Sequence, residues 1–206
     1  MADESNPAKN EVRRLQILRA TLRLLRKHGS AITTAQIAAE AHCSKETLYN
    51  WFGDRDGIML ALAHEQANGM RQAMADRFAS AQGNLEARLS SCATLLLDIM
   101  TGDAALAVNR VAMAQCSSED SEIGRAVMSD WSEQVAAPFM ELFQQGNESG
   151  ELAVHSPQEA FENFVGLLVG DRQRRLLLGE DMRPEPAAMK AIAAKAVQRW
   201  LILYRR

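Results

Sequence analysis

The chain has 206 residues, 47% apolar and 24% charged, with a formal net charge of −3. That is enough apolar material for a real core, in one domain or two small ones, and the acidic balance excludes a protein that clings to nucleic acid by charge alone. No run approaches the ~20 consecutive apolar residues of a membrane span, and the polar, acidic residues 1–7 lack a signal-peptide core, so a cytoplasmic location is expected. Cys43, Cys92 and Cys116 are widely spaced and odd in number, which fits neither a disulfide framework nor a zinc motif. They read as buried reduced thiols, with a redox sensor as the alternative. The first 55 residues carry nine Lys and Arg against six Asp and Glu, a net +3, which leaves −6 for the rest. A basic head on an acidic body turns the head toward phosphate.

In chain order, a first helix is predicted over residues 9–28, where Leu15, Leu18, Leu22 and Leu25 repeat at three and four. Gly29 ends it. Arg13 and Arg14 near its start either touch a DNA backbone or form a solvated face. Residues 33–52 then read as two short helices joined by a tight turn. Thr33 or Thr34 can cap the first of them, and Ser44 caps the second. Ile37, Ala38 and Ala41 give the first an inward edge, with Ala38 small where the helices cross. Residues 41–43 form the turn, and His42 stands where a left-handed backbone is often needed, at some cost for a residue with a Cβ.

The second short helix, residues 45–52, places Leu48, Trp51 and Phe52 on one face. Its other faces carry residue types that read DNA. Lys45 can bond guanine or a phosphate, Asn50 can pair with adenine, and Thr47 can use hydroxyl or methyl. Tyr49 can reach a backbone oxygen. Glu46 either repels phosphate or accepts from cytosine. The alternative is a plain helical hairpin with a solvated polar face. Gly53 and Asp54 break this helix and cap the next, predicted over residues 55–80, whose first residue Arg55 is placed to hold a phosphate with the helix-start amides. This helix joins the head to the body and is the natural lever between them.

Asn84 can cap a fifth helix bearing Leu85, Leu89, Cys92, Leu96 and Ile99. A sixth covers residues 104–116, and residues 117–121 are a polar break. A seventh over residues 122–145 contains Pro138, which removes an amide and should kink it. Residues 146–150 read as a loop. Ser156-Pro157 starts an eighth helix that runs to about residue 178. A ninth spans residues 187–204. With no strand-like alternation, the fold class is all-α, about nine helices: an N-terminal head over residues 1–55 and a helical body over residues 56–206.

These motifs resemble the TetR/AcrR family of transcriptional regulators. The resemblance covers about residues 9–63, through the apolar first helix, Gly29, "TTAQIAAEA", "SKETLYNWF" and "GDRDGIMLAL". Its most specific part is Leu48-Tyr49-x-x-Phe52 followed by a basic residue three positions on. Three positions depart from the pattern: His42 and Glu46 stand where Gly is common, and Arg55 replaces Lys. The C-terminal half resembles the AefR-type branch through "GNESGELAVHSPQEAFENFVGLLVGDRQRRLLLG".

The resemblance implies a homodimeric repressor, released from a palindromic double-stranded operator when a small-molecule inducer enters the C-terminal domain. Thr33, Thr34, Ser44, Lys45, Thr47, Tyr49, Asn50 and Arg55 are the expected DNA-binding residues. Phe161, Val165, Ile192, Ala196, Trp200 and Leu203, on the apolar stripes of the last two helices, either close the monomer's core or pair two copies into a four-helix bundle; the resemblance favours the dimer. Met100, Arg110, Met113, Trp131, Phe164 and Leu168 are the candidate ligand residues, with ordinary core as the alternative for the apolar ones. No cofactor and no metal are expected. The sequence shows no nucleophile elbow, phosphate loop, metal-ligand cluster or paired His and carboxylate set, so it does not read as an enzyme. The remaining alternative is a helical DNA-binding or interaction protein without an inducer.

Overall fold

The computed structural model describes residues 7–115 and 122–206. Its helices are α1 (Pro7–His28), α2 (Thr34–Glu40), α3 (Lys45–Phe52), α4 (Arg55–Ser80), α5 (Leu85–Thr101), α6 (Asp103–Gln115), α7 (Glu122–Trp131), α8 (Ala137–Glu148), α9 (Pro157–Val169), α10 (Arg172–Leu177) and α11 (Pro186–Tyr204). Among the described residues the β-type pairing is one isolated bridge, Leu152 to Arg205. The fold is all-α, as expected. Cys116 and the polar break at residues 117–121 lie outside the described residues.

Two compact units form. The first takes the chain to Gln66 together with Ala107–Val127; the second takes Ala67–Leu106 and Met128–Arg206. The first unit thus runs past Arg55 and recruits most of α6. Its core begins on α1, where Ile17, Leu18, Thr21, Leu24 and Leu25 point inward. Leu15 and Leu22 of the expected leucine stripe are only half-buried, because the buried line lies slightly to one side of it. The buried Thr21 hydroxyl donates to the Ile17 carbonyl at 2.9 Å, so it costs little to bury. Gly29 takes a left-handed φ of +70° and opens a 3-10 turn, Gly29–Ala31, that returns the chain toward the core through Ile32. Ile37, Ala38 and Leu48 then bury the inner faces of α2 and α3.

The second unit is built around α5, α8, α9 and α11. Phe139 packs on Phe78 and Phe164 at centroid distances of 5.1 and 5.0 Å, and Phe143 stacks on Trp200 at 4.5 Å. The Trp200 indole donates to the Ala160 carbonyl at 2.8 Å, so its one polar atom is satisfied inside the core. The expected effect of Pro138 takes a definite form. Pro138 has no N–H for the carbonyl four residues back, and the turn before it widens into a π-helical segment, Ser132–Ala136, in which the Ala137 amide donates to the Ser132 carbonyl.

Two boundaries differ from the sequence reading. Residues 146–150 were expected to be a loop, yet α8 continues through Gly146 to Glu148. Gly146 is a packing residue: a Cβ there would lie 2.6 Å from Leu152 Cδ1. The helix expected to reach residue 178 breaks at Gly170, whose φ of +57° ends α9 before the short α10. The arginines around α10 are internally engaged. Arg172 donates to the Leu168 and Val169 carbonyls, Arg174 faces Asp171, and Arg175 pairs with Glu180.

The α11 stripe also sorts differently. Met189, Ala193, Ala196, Val197, Trp200 and Leu201 face the unit's own core. Of the residues expected at a dimer interface, Phe161, Ala196 and Trp200 are therefore monomer core, at 2%, 2% and 0% exposure. Val165 and Ile192 are half-buried, and Leu203 is exposed beside Ile202.

Candidate nucleic-acid interface

The first unit builds a helix-turn-helix. Thr33 caps α2: its Oγ1 accepts from the Gln36 amide at 3.3 Å, and the Gln36 side chain accepts from the Thr33 amide at 2.8 Å. This reciprocal box satisfies two helix-start donors. Ser44 caps α3, accepting from the Thr47 amide at 3.0 Å, while its hydroxyl pairs with Thr47 Oγ1 at 2.9 Å. Asp54 caps α4 through the Gly57 amide at 2.8 Å.

The turn adopts the geometry that the sequence flagged. His42 has φ +51°, the only positive value at a non-glycine among the described residues. Arg13 donates to the His42 carbonyl at 2.6 Å. Arg13 thus braces the turn from α1, a role the sequence did not suggest because 29 residues separate the pair. Arg14 is exposed and lies over the Phe52 ring, 5.6 Å from its centroid.

At about 100° per residue, the α3 positions opposite buried Leu48 are Glu46 and Asn50. Both are exposed, as are Lys45 and Tyr49, whereas Thr47 and the Trp51 and Phe52 flanks are half-buried. Tyr49 borders a hollow of about 560 Å³ whose walls include Thr33, Thr34, Asp54 and Arg55. Four of the expected DNA-binding residues therefore share one concave surface. Arg55 carries a second task there. Its Nε donates to the Ile32 carbonyl at 3.0 Å and Nη2 donates to Ser30, so the fork holds the strand of chain leading into α2. Lysine at this position has no such fork.

Gly57 is a packing position that the sequence reading missed. A Cβ there would lie 1.9 Å from the Phe52 carbonyl oxygen, so only glycine lets α4 leave this close to the end of α3. A glycine in the first turn of a strongly predicted helix is itself the signal, because helices otherwise disfavour it.

The candidate ligand residues divide between the two units. Met100, Phe164 and Leu168 are buried in the second unit, with Trp131 half-buried against the same cluster. Arg110 and Met113 belong to the first unit and are exposed, Met113 at 64%. Burial raises the Cys43 thiol pKa, with Arg13 pulling the other way, and pushes Cys92 up to about 11. Among the described residues there is no group of three or more His, Cys, Asp or Glu able to hold a metal ion.

A capped helix with a bare polar outer face, set after a braced turn in an all-α chain, defines a helix-turn-helix DNA-binding regulator. Comparison with known proteins agrees. Residues 17–62 match the profile described as bacterial regulatory proteins, tetR family, and residues 87–206 match the AefR-like transcriptional repressor, C-terminal domain. A TetR transcriptional regulator from Agrobacterium tumefaciens is 36% identical, with 93% of this chain and 94% of that one covered and a TM-score of 0.72. A regulator of the same kind from Mesorhizobium loti shares the fold at 20% identity, with 95% and 98% covered and a TM-score of 0.83. The flavonoid-responsive regulator FrrA does so at 19% identity, with 95% and 98% covered and a TM-score of 0.67. No curated protein matches the chain. The chain belongs to the TetR family of transcriptional regulators. No single described helix is long and apolar enough to cross a membrane.

Proposed function

We propose that the chain works as a homodimeric repressor that leaves a palindromic operator when a small molecule enters its second unit. The observation that carries this reading is the match of residues 87–206 to an AefR-like repressor C-terminal domain, in the same chain as an exposed reading helix. Thr33, Thr34, Ser44, Tyr49 and Arg55 position the head on phosphates, and Lys45, Thr47 and Asn50 read base edges. Two heads related by a twofold axis fit a palindrome. Pairing uses the outer edges of α9 and α11, at Val165, Ile192 and Leu203. The inducer acts among Met100, Trp131, Phe164 and Leu168, and it drives release only through unequal affinity for the two head arrangements.

The test is to footprint the upstream region of the protein's own gene with the purified full chain. A protected palindrome that disappears when cell extract is added supports both halves of the reading. Protection with little sequence preference and a steep salt slope supports instead a DNA-binding protein without an inducer.

A further inference from the structure

The head contains many polar side chains, but the fold consumes most of them. Thr33 and Gln36 satisfy each other at the start of α2, and Ser44 and Thr47 do the same at the start of α3. Arg13 and Arg55 spend donors on backbone carbonyls, and Arg23 pairs with Glu40 at 3.0 Å. On α3 itself, Lys45, Glu46, Tyr49 and Asn50 remain exposed, with side chains that make no hydrogen bond or ion pair among the described residues. Glu46 and Asn50 are one helical turn apart, directly opposite buried Leu48. The outermost pair of the reading helix is therefore a carboxylate and an amide.

A carboxylate at this position is chemically one-sided. Ionised, it only accepts hydrogen bonds. In the major groove, guanine offers the acceptors N7 and O6 and thymine offers O4. Cytosine offers the N4 amino group and adenine the N6 amino group. Against an acceptor edge Glu46 would be desolvated and repelled. Against an amino edge it gains a charge-assisted bond. We infer that Glu46 is a specificity-determining residue that selects a base pair presenting an amino donor, cytosine foremost, at one symmetric pair of operator positions. Lys45 next to it supplies the positive charge that lets an acid come this close to phosphate. This inference rests on the operator-binding reading above.

The experiment is selection from a random double-stranded DNA library with the full-length wild type, Glu46→Ala and Glu46→Gln, followed by affinity measurement on single-base-pair variants of the selected site. The wild type is expected to show one symmetric position pair with cytosine or adenine facing the helix, where a switch to guanine or thymine weakens binding about fivefold or more. Glu46→Ala is expected to lose preference at that pair alone. Glu46→Gln is expected to admit guanine there, because its amide can donate. Glu46 is exposed and has no partner among the described residues, so the variants are expected to fold, which matching melting curves establish. An alanine motif identical to the wild-type motif, with affinity unchanged or raised equally on every sequence, overturns the inference and reduces Glu46 to a phosphate repeller. A wild type that selects no motif at all overturns the operator reading, and this inference with it.

Discussion

Replacing His42 with glycine is expected to stabilise the first unit. His42 holds φ +51° in the turn between α2 and α3. A left-handed conformation costs a residue with a Cβ about 1–2 kcal/mol, because Cβ crowds the following carbonyl. Glycine removes that term but loses ~0.5–1 kcal/mol through the greater freedom of its unfolded chain. At the middle of both ranges the net gain is about 0.7 kcal/mol. Nothing else in the turn is lost, since the imidazole is exposed and the brace from Arg13 reaches the backbone carbonyl at 2.6 Å, which glycine keeps. At roughly 2–4 °C per kcal/mol for a chain of this size, the melting temperature should rise by about 1–4 °C in calorimetry. His42→Ala is the control, because it keeps the Cβ and gains nothing. His42→Asn should fall between them, as asparagine tolerates this region better than most residues. A glycine variant no more stable than wild type, or an alanine variant equal to glycine, refutes the strain argument.

The same packing logic makes Gly57→Ala a severe change: with its Cβ placed 1.9 Å from the Phe52 carbonyl, a loss of about 3 kcal/mol is expected in urea unfolding, and a loss under 1 kcal/mol would show that α4 can shift freely. Cys92 should make stability fall at high pH. Its folded pKa of about 11 lies above the ordinary 9.0, so the native state keeps its proton while the unfolded chain releases one, and stability declines between pH 9 and pH 11 by up to roughly 3 kcal/mol; Cys92→Ala should lack that increment when the two proteins are compared across the window. On α11, Leu203→Glu is expected to give monomers by light scattering with the melting curve preserved, whereas Trp200→Ala should cost about 3–5 kcal/mol because it empties the core. A Leu203→Glu protein that stays dimeric moves the pairing face elsewhere.

What was legible in the sequence were features whose physics is local. A side-chain oxygen just before an apolar helix announces a cap, and the Ser44 and Ser156 hydroxyls and the Asn84 amide oxygen all accept from the amide three residues on. Pro138 announces a missing donor, and the π-helical segment sits just before it. The strained turn at His42 was readable for the same reason, since only local backbone sterics were at issue. Gly57 was readable in principle, because a glycine in a helix start calls for a close neighbour, although its partner Phe52 is plain only in three dimensions.

What was not legible depended on partners far along the chain. Arg13 and Arg55 look identical in sequence to arginines awaiting phosphate, and only the fold brings the His42, Ser30 and Ile32 carbonyls to them. The phase of α11 was only partly legible, for another reason. Met189, Ile192, Ala193, Ala196, Val197, Trp200, Leu201, Ile202 and Leu203 put apolar groups nearly all the way round the helix, so periodicity defines no single inward side. The protein resolves this by size: Trp200 takes the centre of an aromatic cluster and a hydrogen bond to Ala160, while Ile202 is left 82% exposed. A helix that is apolar on both sides has one face for its own core and one for something else. The exposed Ile202 and Leu203 are therefore the residues to test first for a partner surface, ahead of the larger Trp200 that the stripe alone would nominate.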